Sequence, residues 1–123
     1  MNIVDSSFWI EFFIQSEISY QIYPIIEKRD LLIVPSIVLL EVVKKILRDR
    51  SENEALECIS FMKLANIVPL DDDLALNAAF IGNKYKLPLA DSIIYATTLK
   101  SNAILFTLDR HFDGLPNVQY FQK

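Results

Sequence analysis

Short apolar, β-branched runs alternate with longer helical stretches through the whole chain, and that alternation leaves few folds open. Residues 2–5 (NIVD) read as a short buried strand. Residues 6–14 and 17–28 read as helical, and Leu31 to Val34, bounded by Asp30 and Pro35, as a second buried strand. Ser36 suits an N-cap for a helix over 37–48 with Ile37, Leu40, Val43 and Leu47 on one face. A helix over 52–66 follows, then a short strand at 67–68. Asp71-Asp72-Asp73 opens a helix over about 74–86, Pro88 breaks it, and a further helix runs from near Ala90 to about Lys100. Residues 103–107 and 118–121 read as the last strands. Strands joined through helices pair in parallel by right-handed crossovers, so the pattern predicts an α/β fold with a central, mostly parallel sheet and helices on both faces.

A length of 123 residues fits one domain over 1–123, and with 52% hydrophobic residues the chain can bury a core without staples. Cys58 is the single cysteine, so an internal disulfide is excluded; set among Leu56, Ile59 and Phe61, it reads as a core thiol in a cytoplasmic protein. The first residues meet Asp5 and carry no basic leader, which argues against a secretory signal. The most apolar stretch, LLIVPSIVLLEVV, is interrupted by Pro35, Ser36 and Glu41, which argues against a membrane span. A net charge of −4 excludes a broad basic footprint, so any nucleic acid must be held by a local patch or through cations.

Sites in open parallel sheets form beyond the carboxyl ends of the strands. Asp5 follows the first strand and Asp109 the strand ending near Thr107. Glu41 lies in the second turn of the helix after the 31–34 strand, and Asp91 in the first turn of the helix after Pro88. Placed together, such carboxylates repel and call for cations; hard oxygen ligands suit Mg²⁺ or Mn²⁺, the chemistry of phosphodiester hydrolysis. Each residue also has a plainer reading. Asp5 and Asp91 suit helix N-caps, Glu41 suits a pair with Lys45 or Lys44, and Asp109 suits a turn. Glu41 fits its plain role least, because Leu39-Leu40 and Val42-Val43 flank it. Asp71-Asp72-Asp73 reads as a solvated helix start that favours the helix dipole. His111 is the only histidine, which excludes a two-histidine ribonuclease, and no role is assigned to it. The only glycines, Gly82 and Gly114, exclude a phosphate-cradling P-loop.

Four blocks, VDSSFWIEFF, PSIVLLEVV, LPLADSIIYATT and ILFTLDRHF, taken in order, resemble those of the PIN-domain toxin ribonucleases of the VapC type, from bacterial toxin–antitoxin pairs. The resemblance spans essentially the whole chain and implies a three-layer α/β/α domain. It implies that Asp5, Glu41, Asp91 and Asp109 are the catalytic, metal-holding acids, with supporting hydroxyls at Ser7 and Thr107. It further implies Mg²⁺- or Mn²⁺-dependent endoribonuclease activity on structured RNA such as transfer or ribosomal RNA. A homodimer and a cognate antitoxin partner also follow from it. Lys44, Lys45, Arg48 and Arg50 form the best local basic patch, with Arg110 beside Asp109; a solvated helix face explains the first four equally well. Trp9, Phe12 and Phe13 read as core or dimer surface, and Tyr95 as a residue narrowing the space beside Asp91. Two other readings of the acids remain open: a non-catalytic RNA- or protein-binding module, and a phosphatase-like domain with Asp5 as nucleophile, the latter weakened by Ser6-Ser7 following Asp5.

Overall fold

A computed structural model describes residues 1–123. Five strands form one sheet: β1 (Asn2–Val4), β2 (Leu32–Pro35), β3 (Asn66–Val68), β4 (Ile104–Thr107) and β5 (Val118–Tyr120). Their order is β3-β2-β1-β4-β5, and every neighbouring pair is parallel. Asn2 stands opposite both Leu32 and Ile104, so the three central strands run in register. Six helices connect or flank them: α1 (Ser6–Phe13), α2 (Tyr23–Glu27), α3 (Ser36–Asp49), α4 (Glu52–Met62), α5 (Asp72–Tyr85) and α6 (Leu89–Lys100). From β1 the chain steps outward through β2 to β3, then returns past β1 to β4. Right-handed crossovers therefore place α1 to α4 on one face of the sheet and α5 with α6 on the other. This is the three-layer arrangement anticipated, and the reversal of direction opens a crevice between β1 and β4.

The buried core follows the layers. Ile3, Val4, Leu32, Val34 and Leu105 of the central strands are at most 1% exposed and join Phe8, Trp9, Val38, Val42, Met62 and Phe112 in the main cluster. A smaller cluster of Leu74, Ala78, Ile93 and Ala96 seals α5 against α6. Gly82 of α5 permits this approach, since a Cβ there would stand 2.2 Å from Ser92 Oγ.

Several boundaries differ from the sequence reading, each for a local reason. The helix expected over 17–28 is a 3-10 segment, Glu17–Gln21, followed by the five-residue α2. Pro24 sits in the first turn of α2, where its missing N–H is harmless; inside a continuous helix it would break the ladder. Another 3-10 turn, Arg29–Leu31, delays β2 to Leu32. Ser36 is not a cap: Pro35 holds that position, and the Ser36 hydroxyl instead accepts a hydrogen bond from the Leu70 N–H at 3.1 Å, tying the loop after β3 to α3. The buried stripe of α3 is Val38, Val42 and Ile46, while Leu40 and Leu47 are exposed, so the expected face was one residue out of phase. Trp9 is fully buried against Phe12, Phe13 and Phe61 and offers no free surface. Tyr95 points into the core, packing on Tyr85 and Phe112 with its hydroxyl donating to the Pro116 carbonyl at 2.7 Å, so it does not crowd Asp91. No helix is long and apolar enough to cross a membrane.

Candidate active site

Asp5 and Asp109, which the sequence placed just beyond two strands, follow the carboxyl ends of the adjacent β1 and β4. Asp5 is the first residue beyond β1 and is 2% exposed. Its Oδ1 accepts from the Ser6 N–H at 2.9 Å, which makes it the cap of α1 as well. Its Oδ2 accepts from Ser7 Oγ at 2.9 Å and from Thr107 Oγ1 at 2.8 Å. Each of these hydroxyls also accepts a backbone hydrogen bond, Ser7 from Leu108 N–H at 3.3 Å and Thr107 from Asp109 N–H at 2.9 Å. The loop carrying Asp109 is thus fastened to Asp5 through two hydroxyls whose donor and acceptor capacities are both used. Thr107 sits at the buried end of β4, which fixes the direction of its hydroxyl.

Asp109 begins a 3-10 turn, Arg110–Phe112, by accepting from the His111 N–H at 2.9 Å. The turn reading of Asp109 holds, and the same turn leaves it beside Asp5 and Asp91. The same turn carries the imidazole back over the acids: His111 Nδ1 lies 2.9 Å from Asp91 Oδ2 and 3.1 Å from Asp109 Oδ1. Asp91 is not a cap; Pro88 holds that position, and Asp91 stands in the first turn of α6. Its neighbour Ser92 donates to the Leu87 and Pro88 carbonyls, which secures the start of the helix. Glu41, in the second turn of α3, turns a buried Oε1 that has no hydrogen-bond partner.

Electrostatics tie the four acids together. Burial raises the carboxyl of Asp5 above its ordinary value; the Thr107 and Ser7 hydroxyls oppose the shift and repulsion from Asp109 adds to it. Burial also raises Glu41, opposed by the Ser6 side chain and reinforced by Asp5 and Asp109. Asp91 is pushed up to about 7, by burial first and then by Asp109 and Asp5, with His111 opposing. His111 is raised in turn, mainly by Asp109. Carboxylates that disturb one another in this way share one site. His111 is the member that the sequence reading left without a role; the Asp109-x-His111 spacing in a tight turn was its only signal.

The basic residues are less uniform than the sequence suggested. Lys45 and Arg48 both pair with Asp49, at 3.1 and 2.9 Å, and hold its carboxyl down at about 2. Arg50 lies 4.0 Å from Glu54. Lys44 has no ion pair, and Arg110 is exposed on the turn beside Asp109. A cleft of about 560 Å³ nevertheless runs from Glu41 and Ala90 along Lys44, Lys45 and Arg48, so these cations lie beside Glu41.

The family profile described as the PIN domain matches residues 3–117. The chain belongs to the PIN-domain family. Solved structures agree in fold. A toxin–antitoxin complex from Klebsiella pneumoniae superposes with a TM-score of 0.84 at 22% identity, covering 100% of both chains. VapBC2 from Rickettsia felis, bound to a DNA fragment of its promoter, gives 0.76 at 14% identity over 98% of this chain and 97% of that one. VapC20 of Mycobacterium tuberculosis, described as a toxin cleaving the sarcin–ricin loop, gives 0.72 at 16% identity over 96% and 98%. No curated protein matches the chain in sequence.

Proposed function

We propose that this PIN-domain chain is a divalent-metal-dependent endoribonuclease, the toxin of a toxin–antitoxin pair, with residues 1–123 working as one nuclease unit. The observation that carries the reading is the gathering at one sheet edge of four carboxylates, three of them raised above their ordinary range. The donor set suits a hard cation: it is dominated by carboxylate oxygens, and Glu41 Oε1 is a buried acceptor with no donor of its own. Asp5, Glu41, Asp91 and Asp109 would hold Mg²⁺ or Mn²⁺. Such an ion, when bound, lowers the pKa of water and offsets negative charge at a scissile phosphate.

The residues of the chain supply positioning. Ser7 and Thr107 oppose the upward push on the Asp5 carboxyl and aim it, and through their backbone bonds they fix Asp109 relative to it. Lys44, with Lys45 and Arg48 behind it, lines the cleft beside Glu41 and would position an RNA backbone without reading its sequence. Arg110 would neutralise phosphate from the other side. A phospho-acceptor role for Asp5 is disfavoured, because its side chain is buried and Oδ2 already accepts two hydroxyl bonds. A purely binding module has no need of three acids held at raised energy.

The structural relative described as a toxin–antitoxin complex supports an antitoxin partner, and the toxin that cleaves the sarcin–ricin loop supports a structured RNA substrate, such as transfer or ribosomal RNA. The enzyme would act in the cytoplasm as a homodimer. Apolar surface for self-association is present at Phe80 and Leu89, 77% and 82% exposed on the α5–α6 face, while Trp9 takes the core alternative of the sequence reading. The test is RNA cleavage by the purified chain with end mapping. A 5′-phosphate and a 3′-hydroxyl, formed with Mg²⁺ or Mn²⁺ and abolished by chelator, are expected. A 2′,3′-cyclic phosphate, or full activity in chelator, overturns the mechanism.

A further inference from the structure

We propose that His111 is a nitrogen ligand of the same metal site, making the site discriminate in favour of Mn²⁺ over Mg²⁺. The inference rests on the metal-dependent reading above and adds a ligand to it. One donor atom from each of Asp91, Asp109 and His111 lies within 4.8 Å of the others. Two of the separations, His111 Nδ1 to Asp91 Oδ2 at 2.9 Å and to Asp109 Oδ1 at 3.1 Å, are direct contacts. In an octahedral site with ligands about 2.1 Å from the ion, adjacent donors lie √2 times that distance apart, or about 3.0 Å. Both contacts match an edge of such an octahedron. The spacing, bridged by the hydrogen bond to Asp91 and the contact with Asp109, is therefore one that a cation at the centre of the three could use with small side-chain shifts.

The position of the imidazole is built in although the ring is exposed. Its own backbone N–H is held by Asp109 Oδ1, and the next residue, Phe112, is fully buried beside Tyr95. The short turn leaves the ring facing the acids. Glu41 Oε1, buried and unpartnered, shows an acceptor still available within the same group of acids.

Donor chemistry gives the consequence. Mg²⁺ is satisfied by oxygen and gains little from an imidazole, whereas first-row transition metals bind mixed nitrogen and oxygen sites more tightly. Mn²⁺ lies at the weak end of that series, so a selective gain of about tenfold is expected rather than a larger one. A histidine that only stands in for the cation would behave in the opposite way, competing with every metal alike.

The full-length chain and its His111→Ala and His111→Gln variants, stripped with chelator and confirmed folded by circular dichroism, are titrated with MnCl₂ and with MgCl₂ by calorimetry. Pulsed electron paramagnetic resonance is recorded on the Mn²⁺-loaded samples. We expect a directly bonded ¹⁴N signal in the wild type that is lost in both variants. Mn²⁺ affinity should fall about tenfold while Mg²⁺ affinity changes less than twofold. A wild type that binds Mn²⁺ without ¹⁴N coupling overturns the inference and leaves the carboxylate site standing. So do variants in which both affinities move together, in either direction. A wild type that binds neither metal overturns the inference and the metal-dependent reading at once.

Discussion

The chain carries its densest run of acid at Asp71-Asp72-Asp73, whereas the acids that the fold draws together, Asp5, Glu41, Asp91 and Asp109, are spread over more than a hundred residues. The two groups answer to different physics. The run is exposed at the start of α5, where Asp71 Oδ1 accepts from the Leu74 N–H at 2.8 Å and its neighbours lie in the first turn beside the positive end of the helix dipole. Water screens it, and it performs an ordinary capping task. The dispersed four are drawn to the ends of parallel strands and the adjoining helix turns, where burial first and repulsion after it raise Asp5, Glu41 and Asp91 above their ordinary values. Density along the sequence says little about charge density in space; topology and burial decide it.

The comparison breaks most directly on activity. Asp5→Asn keeps the shape of the side chain but removes the charge and places an amide against two hydroxyls that already accept backbone bonds. Metal-dependent cleavage should fall by at least about 10³-fold, on the scale of losing a site's main charge-stabilising group. Asp72→Asn should leave it within twofold. Single-turnover cleavage of a common RNA substrate measures both, and comparable losses in the two variants would erase the distinction between the groups.

A second break is steric and affects only the buried group. Gly82→Ala sets a methyl against Ser92 Oγ, the hydroxyl that secures the start of α6 next to Asp91. Overpacking of this kind costs about 1–3 kcal/mol. Melting should shift down accordingly, and metal affinity should weaken because Asp91 moves with its helix. A Gly82→Ala chain with wild-type stability and wild-type Mg²⁺ affinity would show that the α5–α6 contact does not position Asp91.

These effects bear on what could be read beforehand. The strands, their parallel pairing and the placement of the four acids were legible because each depends on a local signal: β-branched runs for β1, β2 and β4, and acids at strand ends or early helix turns. The role of Ser36 was not, since its partner, Leu70 N–H, is distant in sequence. The buried stripe of α3 was missed because nearly every position from Ile37 to Val43 is apolar, so periodicity gave no unique phase. His111 escaped for a related reason: its place over Asp91 comes from a turn whose direction the sequence does not state.

Asp91 has a folded pKa of about 7 against an ordinary 3.8. A carboxyl raised on folding binds its proton more tightly in the folded state. The stability it contributes is fully present below the ordinary value and is lost as pH rises to about 7. Asp5, Glu41 and His111 are also raised, so their contributions have the same sign. In chelator, the melting temperature should therefore fall between pH 5 and pH 8. Asp91→Asn should flatten much of that fall and stabilise the protein at pH 8 by on the order of 1 kcal/mol, with the lost bond to His111 limiting the gain. Repulsion alone would give Asp5→Asn the same benefit. The hydrogen bonds at Asp5 argue otherwise, because one carboxylate oxygen accepts from the Ser6 N–H and the other from the Ser7 and Thr107 hydroxyls, and an amide has a single accepting oxygen to serve both sides. Melts of both variants across this range separate the two acids; a flat wild-type profile in chelator would deny the cluster its energetic cost.

The smallest effect belongs to the exposed run and tests it on its own terms. Asp71→Ala removes the side chain that accepts the Leu74 N–H and leaves the α5 terminus short of one partner. Loss of a helix cap costs about 1 kcal/mol, and the exposed terminus lets water replace part of the bond. Asp71→Asn keeps the acceptor and loses only the charge, so its cost should be a few tenths of a kcal/mol, the scale of an exposed charge at a helix dipole. The order wild type, Asp71→Asn, Asp71→Ala in melting temperature, unchanged by Mg²⁺ and by chelator, is the expected signature of a cap. If Asp71 instead supported the metal site, both variants would lose stability mainly when Mg²⁺ is present, since bound metal stabilises the folded state only as far as its ligands hold it. Denaturant melts of the three proteins, with saturating Mg²⁺ and with chelator, give the two patterns opposite metal dependence, so even an effect this small can reject the capping assignment.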